Sequence, residues 1–290
     1  MKDPASHPRR APAEPGRVLR ASGGVGGHVG APHADRSEFL RVERRDPVAT
    51  IWIDRQPKMN TMTVAMRNEF PGIFGALDGD DAVRVIVIRG AGGKAFSAGG
   101  DVAEFLTLAP ADLEHWGDTL TSAERCRKPV IAAIDGFTMG AGLELALACD
   151  FRVATRRSEF AFPEVRLGMI PGSGGTQRAL RLIGMTRGKL FMMTGQRIPA
   201  ERAEAWGLIT ECVADDGLDA AVETLAKELS DKAPLALRTL KMVLNRGIEA
   251  PLDTALELER KAYAWLRSTH DYEEGVRSFL EKRPPKYTGR

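Results

Sequence analysis

Short runs rich in β-branched residues alternate with helical stretches from Ser37 to about Cys212, and this alternation constrains the fold more than any other feature. Strands separated by helices are typical of crossover units, which place their strands parallel in one sheet. The pattern therefore predicts an α/β fold with a largely parallel sheet. The strand candidates are residues 39–42, 49–53, 83–88, 130–134 and 151–154, and the helical stretches include 64–77, where Pro71 predicts a break or kink, and 113–126.

The chain divides into three stretches by composition. Residues 1–36 are rich in Pro and Gly and show almost no aliphatic periodicity, so they cannot bury enough surface to offset the entropy of ordering. We predict a disordered leader here, then a core over 37–215 and a wholly helical region over 216–290. The segment 251–267 has a broad apolar face, which could close over the core or join subunits.

Charge, cysteine content and hydropathy exclude several classes of protein. The 41 basic and 39 acidic residues leave a net charge of +2, which does not favour nucleic-acid binding. Cys126, Cys149 and Cys212 form no C-x-x-C pair, so a disulfide framework or a zinc site is not indicated, and a reducing, cytoplasmic location is predicted. No apolar run reaches the roughly 18 residues of a membrane span.

Three familiar catalytic motifs are incomplete. Ser173 follows Pro171 where a nucleophile elbow needs glycine, and Ile88 stands where a P-loop ending at Lys94 needs its first glycine. The G-x-G that begins at Gly140 would place its third glycine at Leu145. A serine hydrolase, a P-loop protein and a dinucleotide-binding protein are therefore not indicated.

Glu144 is the single charged residue in the helical stretch between Gly140 and Cys149. Its neighbours three and four residues away are glycine, alanine and leucine, so no local cation can pair with it. Burying an unpaired carboxylate costs several kcal/mol or raises its pKa, which makes Glu144 a candidate acid or base. The alternatives are a surface glutamate on a short helix and a buried one satisfied by a distant partner.

Glu164 shows the same anomaly in a loop. Phe160, Phe162 and Val165 surround it, and Pro163 restricts the chain just before it. We expect its pKa to be raised toward neutrality as well, although a solvated loop glutamate stays open.

Two glycine-containing loops indicate what such carboxyls would act on. The run KAFSAGGDV, in which Ala98, Gly99 and Gly100 are small, lets a ligand approach backbone N–H groups closely. The turn at 139–142 begins a helix whose first N–H groups are unpaired. One donor from each loop could converge on a developing oxyanion.

Four ordered motifs resemble the crotonase (enoyl-CoA hydratase/isomerase) superfamily: FSAGGD, GAGLELALACD, FPEVRLGMIPGSGGTQR and AWGLITECV. The resemblance runs from about Glu38 to Lys286 and leaves out only the leader. It implies a spiral of ββα repeats followed by a helical C-terminal region that builds homotrimers, often paired into homohexamers. It also implies an acyl-CoA thioester substrate, with coenzyme A as part of the substrate, no separate cofactor and no metal.

The resemblance carries specific roles onto this chain. The two N–H groups that hold the thioester oxygen fall on Ala98 and Ala141; family members often have glycine at the second position, so the Ala141 methyl group could narrow the acyl pocket. The loop backbone around Ala98, Gly100 and Val102 is implied for adenine binding. Lys58 matches a position beside CoA, although an ordinary solvated lysine stays open. The full CoA-binding set implied is Lys58, Ala98, Gly99, Gly100, Asp101, Val102, Gly140 and Pro163.

Family members that hydrate a double bond carry glutamate at two positions, which Glu144 and Glu164 occupy in this chain. The resemblance therefore implies an enoyl-CoA hydratase in which Glu144 deprotonates the attacking water and Glu164 protonates Cα. Two alternatives stay open: an isomerase or specialised dehydratase of the same fold, and a non-catalytic module that binds RNA through the basic leader.

Overall fold

The structure, a computed structural model, describes residues 38–109 and 116–290; the predicted leader lies outside them. The strands are β1 (Leu40–Arg45), β2 (Val48–Ile53), β3 (Val85–Gly90), β4 (Ala95–Ser97), β5 (Val130–Ile134), β6 (Phe137–Met139), β7 (Phe151–Thr155), β8 (Glu159–Ala161), β9 (Ile198–Pro199) and β10 (Glu211–Val213). The helices are α1 (Val64–Gly79), α2 (Val102–Phe105), α3 (Trp116–Arg125), α4 (Ala141–Ala148), α5 (Gly175–Thr194), α6 (Ala200–Trp206), α7 (Leu218–Ser230), α8 (Pro234–Gly247), α9 (Leu252–Leu266) and α10 (His270–Glu281). Short 3-10 turns cover Gln56–Lys58 and Pro163–Leu167.

The strands form two sheets that the chain visits in turn. The larger sheet has the order β1-β2-β3-β5-β7-β10 and the smaller one β4-β6-β8-β9. Pairing is parallel except between β1 and β2 and between β8 and β9. From β3 to β8 each turn of the chain therefore adds one strand to each sheet. The predicted α/β class and the crotonase-like spiral of ββα repeats are confirmed.

The central strands of the larger sheet are buried on both faces, which explains their continuous apolar sequences. Ile86 and Ile88 of β3 face the main core beneath α1 and α4. Val85 and Val87 of the same strand face a second cluster, to which α7 contributes Leu218, Val222 and Ala226. This alternation follows from the two-residue period of a strand and fixes which side of the sheet carries α4.

Helix α1 continues through Pro71, although the sequence predicts a break or kink there. The Thr63 hydroxyl accepts the Met66 N–H at its start. The helix buries Met66, Phe70, Phe74 and Leu77, and this packing outweighs the hydrogen bond lost at proline. Pro71 itself lies on the exposed face of the helix.

The C-terminal region is helical, as predicted, but much of its apolar surface is exposed. Helices α8 and α9 contain no buried residue in the described part of the chain. A partly buried ion pair between Lys241 Nζ and Asp150 Oδ2, 2.7 Å apart, ties α8 to the corner that follows α4. Within residues 38–109 and 116–290, no helix has the length and apolarity that crossing a bilayer requires.

Candidate active site

Helix α4 is buried along its whole length and lies directly on strand β4. A Cβ atom on Gly142 would be 2.3 Å from the Ser97 carbonyl oxygen, so only glycine permits this contact. The spiral thereby holds the first turn of α4 against the glycine loop that follows β4. A Cβ on Gly99 of that loop would be 3.7 Å from the Ala141 nitrogen, which brings the two predicted loops together.

Glu144 lies inside this packing, with 3% of its surface exposed. Its Oε1 accepts hydrogen bonds from the Ser173 N–H at 2.6 Å and the Gly175 N–H at 3.0 Å. Burial raises the pKa of Glu144, while these two N–H groups and the charge of Arg67 act in the opposite direction. The pKa of Glu144 is thus raised, as the sequence predicts. The carboxyl is also bound by partners far along the chain, at Ser173 and Gly175, as in the alternative of a buried glutamate with a distant partner.

Glu164 belongs to the 3-10 turn Pro163–Leu167 and has far fewer partners. Its Oε2 is buried and accepts no hydrogen bond from the described residues. Burial raises the pKa of Glu164 to about 7, and the nearby charge of Glu144 adds to the rise. A Cβ on Gly140 would be 2.9 Å from Glu164 Oε1, so this carboxyl meets the chain just before α4. The structure therefore brings the two glutamates to one place.

The loop after β4 offers a different backbone donor from the one predicted. The Ala98 N–H donates to the Met59 carbonyl oxygen at 2.9 Å, so the prediction that it serves as an oxyanion donor is wrong. The Gly99 N–H donates to Ser97 Oγ at 3.2 Å. Residue 100 forms a parallel bridge with Met62, but the bridge uses the Gly99 carbonyl and the Asp101 N–H. The Gly100 N–H has no partner among the described residues.

The second predicted donor, the Ala141 N–H, belongs to the first residue of α4. It has no acceptor within the described ranges, as expected for a first helical residue. Gly140, which precedes it, has φ 50° and ψ −124°, a conformation that favours glycine. The unpaired N–H groups of Gly100 and Ala141 and both glutamates thus surround the junction of the two loops.

Of the predicted CoA-binding residues, Lys58, Asp101 and Val102 lie on or beside the loop that follows β4, whereas Gly140 and Pro163 belong to the connections after β6 and β8. Lys58 is exposed at the end of its 3-10 turn, and Val102 is 49% exposed. The Asp101 side chain is already engaged, because it accepts Arg55 Nη1 at 2.7 Å and caps α2 through the Ala103 N–H. The hydrogen bond from Arg55 is the main reason that the pKa of Asp101 is lowered. CoA binding at these positions stays a prediction.

Arg67 is a residue of this site that sequence reasoning missed. It is 2% exposed, and its Nη2 donates to Ser173 Oγ at 2.5 Å and to the Trp116 carbonyl at 3.1 Å. Its guanidinium lies 4.2 Å from the centroid of the Trp116 ring. The signal was its position: Arg67 lies three residues before Phe70 and seven before Phe74, on the apolar stripe of α1.

Two sheets wound into a ββα spiral, with two convergent carboxyls beside unpaired backbone donors, define a crotonase-type fold and site. A sequence profile of the enoyl-CoA hydratase/isomerase family matches residues 43–290, so the chain belongs to this family and is an enzyme of it.

Individual relatives agree with this membership. The chain is 35% identical over 246 residues to a short-chain-enoyl-CoA hydratase of Clostridium acetobutylicum, covering 83% of this chain and 94% of the relative. It is 36% identical over 250 residues to a crotonyl-CoA hydratase of Syntrophomonas wolfei, covering 85% and 96%. The crystal structure of an enoyl-CoA hydratase from Bacillus anthracis superposes with a TM-score of 0.83 at 35% identity, covering 87% of this chain and all of that one.

Proposed function

We propose that the protein is an enoyl-CoA hydratase that adds water across the 2,3 double bond of a trans-2-enoyl-CoA to give a 3-hydroxyacyl-CoA, and catalyses the reverse dehydration. The observation that carries this proposal is the meeting of Glu144 and Glu164, both with raised pKa values, beside unpaired N–H groups. Hydration needs a base for water and an acid for carbon, and two carboxyls supply both.

The backbone donors would polarise the thioester carbonyl. With the Ala98 N–H engaged, the N–H groups of Gly100 and Ala141 are the pair that would bind the oxygen. Negative charge grows on this oxygen as water attacks Cβ, and removing one such donor typically costs about 3 to 4 kcal/mol. The Ala141 methyl group leaves the N–H in place and borders the acyl chain.

The two carboxyls would divide the proton transfers. Glu144 takes a proton from the water as its oxygen bonds to Cβ, and Glu164 gives a proton to Cα of the enolate. Glu144 then carries the proton and Glu164 is ionised, so one transfer between them or through solvent restores the enzyme. A pKa of about 7 suits Glu164 as an acid near neutral pH.

Hydration is favoured over the other two interpretations of the sequence. The relatives described above are named hydratases, and both acid/base positions are glutamate, whereas an isomerase needs no group that activates water. RNA binding through the leader has no support from the near-neutral net charge of +2.

We further propose that the CoA moiety lies along the loop that follows β4, near Lys58 and Val102, because both are exposed beside the N–H groups that would hold the thioester. Coenzyme A is then part of the substrate. Adding water to a double bond involves no net oxidation or reduction, so the proposed reaction requires no redox cofactor.

We propose a homotrimer or homohexamer as the active assembly. Apolar side chains are exposed on α5 and on the last three helices, α8, α9 and α10, among them Leu190, Met193, Leu244, Leu252 and Phe279. Exposed apolar surface on this scale is typical of subunit interfaces. Sedimentation equilibrium should give three or six times the mass of the chain, and a monomer would contradict the proposal.

We also propose a reducing compartment such as the cytoplasm. Cys126, Cys149 and Cys212 are free thiols, and the first two are buried. Thiols of this kind persist where disulfides do not form. Fractionation of cells that produce the protein tests this location.

The direct test is hydration of crotonyl-CoA, followed by the loss of absorbance of the conjugated thioester. Glu144→Ala and Glu164→Gln should each lower kcat by about 10² to 10⁴. Glu159→Gln, at a half-buried glutamate paired with Arg197, is the matched control and should keep parental turnover. Parental rates in both site variants would refute the two-carboxyl mechanism, and conversion of 3-enoyl-CoA instead of hydration would favour the isomerase.

A further inference from the structure

Arg67 reaches Glu144 through a single intervening residue. The Arg67 guanidinium donates to the hydroxyl of Ser173, and the N–H of the same serine donates to Glu144 Oε1. Both contacts are short, at 2.5 and 2.6 Å, and all three residues are buried. A charged side chain is seldom buried without a role that repays its desolvation.

The guanidinium is incompletely satisfied by this environment. Its Nε is buried and has no partner within the described residues. Burial lowers the pKa of Arg67 to about 10, so the group still carries its charge at neutral pH, and the charge of Glu144 opposes this fall. Burying the charge of Arg67 at this position therefore costs free energy of folding, and a neutral side chain of similar shape would be more stable there.

The other ionisable groups around Glu144 do not provide the same charge. Glu164 faces it from the 3-10 turn and is itself an acid. Arg178 of α5 donates to the Ser173 carbonyl, but it is paired with Glu124 of α3. Arg67 of α1 is thus the cation near Glu144 that has no carboxylate bonded to it in the described part of the chain.

We propose that Arg67 is a positioning residue which, through Ser173, orients Glu144 and keeps it ionised as the base for water, so that Glu144 and Glu164 take opposite roles. This inference rests on the proposed hydratase function. Arg67 does not touch the reacting atoms in this arrangement. Its hydrogen bond to Ser173 holds in place the Ser173 N–H that binds Glu144, and its positive charge favours the ionised form of the Glu144 carboxyl.

The test is the pH profile of kcat/KM for crotonyl-CoA in the parent and in Arg67→Met, between about pH 5.5 and 9. Without the cation, Glu144 binds its proton more tightly, so its base form appears only at higher pH. We expect the loss relative to the parent to be at least about tenfold greater at pH 6 than at pH 8. Dividing kcat/KM of the variant by that of the parent at each pH cancels the fall in activity at alkaline pH, which both proteins share because Glu164 loses its proton there.

Two further variants separate the charge from the hydrogen bond. Arg67→Lys keeps a cation and should restore activity at pH 6 more than at pH 8, relative to Arg67→Met. Ser173→Ala removes the hydroxyl but keeps the N–H and the arginine charge, so its profile should move in the same direction by less. Ser173→Ala, which is compared with the parent alone, decides the matter if Arg67→Met does not fold, as judged by circular dichroism and thermal melting.

A loss in Arg67→Met that is equal at every pH, or no loss at all, would overturn the proposal and leave only a packing role beside Trp116. A parent protein that does not hydrate crotonyl-CoA would instead refute the proposed function. The effect of Arg67 on the ionisation of Glu144 would then be measured without substrate. Infrared titration would follow the Glu144 carboxyl in the parent and in Arg67→Met, and Glu144→Gln would identify its band. An unchanged titration of that band would overturn it.

Discussion

Helix α4 and the 3-10 turn Pro163–Leu167 each supply one buried carboxyl, yet the two carboxyls differ in how many hydrogen-bond partners surround them. The site around Glu144 provides two backbone N–H donors and a nearby guanidinium. The site around Glu164 leaves Oε2 without a partner in the described residues and raises its pKa to about 7. Burial alone would make both carboxyls weak acids. Their hydrogen-bond partners, rather than their depth, therefore distinguish the proposed base from the proposed acid.

The largest expected effect comes from neutralising both carboxyls in turn. Glu144→Gln and Glu164→Gln should each lower kcat by about 10² to 10⁴, and the double variant should lose much less than the product, because the two groups act in one reaction. The residual activity of Glu164→Gln should lose the alkaline limb near pH 7, since Glu164 acts while protonated. Loss of the acid limb instead would reverse the two roles.

A second effect concerns stability and tests Glu164 without substrate. Its folded pKa lies above its ordinary value of 4.5, so the folded protein binds more protons between these values. The free energy of unfolding contributed by Glu164 therefore falls as pH rises from about 4.5 to 7. Relative to the parent, Glu164→Gln should gain up to about 3 kcal/mol across this window, measured by urea unfolding at one protein concentration. A constant difference would show that Glu164 titrates normally.

A third pair of variants displaces each carboxyl through a glycine beside it. A Cβ on Gly175 would lie 2.9 Å from Glu144 Cγ and 2.7 Å from the Phe162 ring, and one on Gly140 would lie 2.9 Å from Glu164 Oε1. Gly175→Ala and Gly140→Ala should lower kcat/KM by about 10- to 100-fold, since small displacements at a site are costly. Only Gly140→Ala also strains the backbone, so its melting temperature should fall in addition.

The smallest effect belongs to the control for that pair. Gly72 lies on the exposed face of α1, where an added Cβ meets nothing within 4 Å. Gly72→Ala should keep full activity and raise the free energy of unfolding by about 0.5 to 1 kcal/mol. A loss of activity here would mean that glycine replacements report on general stability and not on the carboxyls.

Much of the site was predictable because its residues break local rules. Glu144 lacks a partner on its own helix and Glu164 lies among aromatic residues, so each is anomalous in the sequence alone. The glycines of both loops showed where the backbone is accessible. The parallel sheet also followed from local patterns, because strands and helices alternate in the order that crossovers require.

The rest depended on contacts between distant segments. Whether Ala98 or Gly100 keeps a free N–H is decided by Met59 and Met62, some 40 residues earlier, and no local pattern records that pairing. Arg67 interacts with Ser173 across 106 residues, so its apolar stripe marked it as unusual without naming its partner. The continuity of α1 through Pro71 likewise reflects packing that propensity does not include.

The spiral has a consequence for how such an enzyme can change. Three successive windings, β3 with β4, β5 with β6, and β7 with β8, are followed in order by the Gly100 amide, the proposed base Glu144 and the proposed acid Glu164. The third connection, which follows β8, carries Glu164 but neither of the two backbone donors, which lie in the first and second connections. A lineage can therefore replace the proposed acid by changing this third connection alone, while the pair of amides proposed to bind the substrate carbonyl is inherited intact.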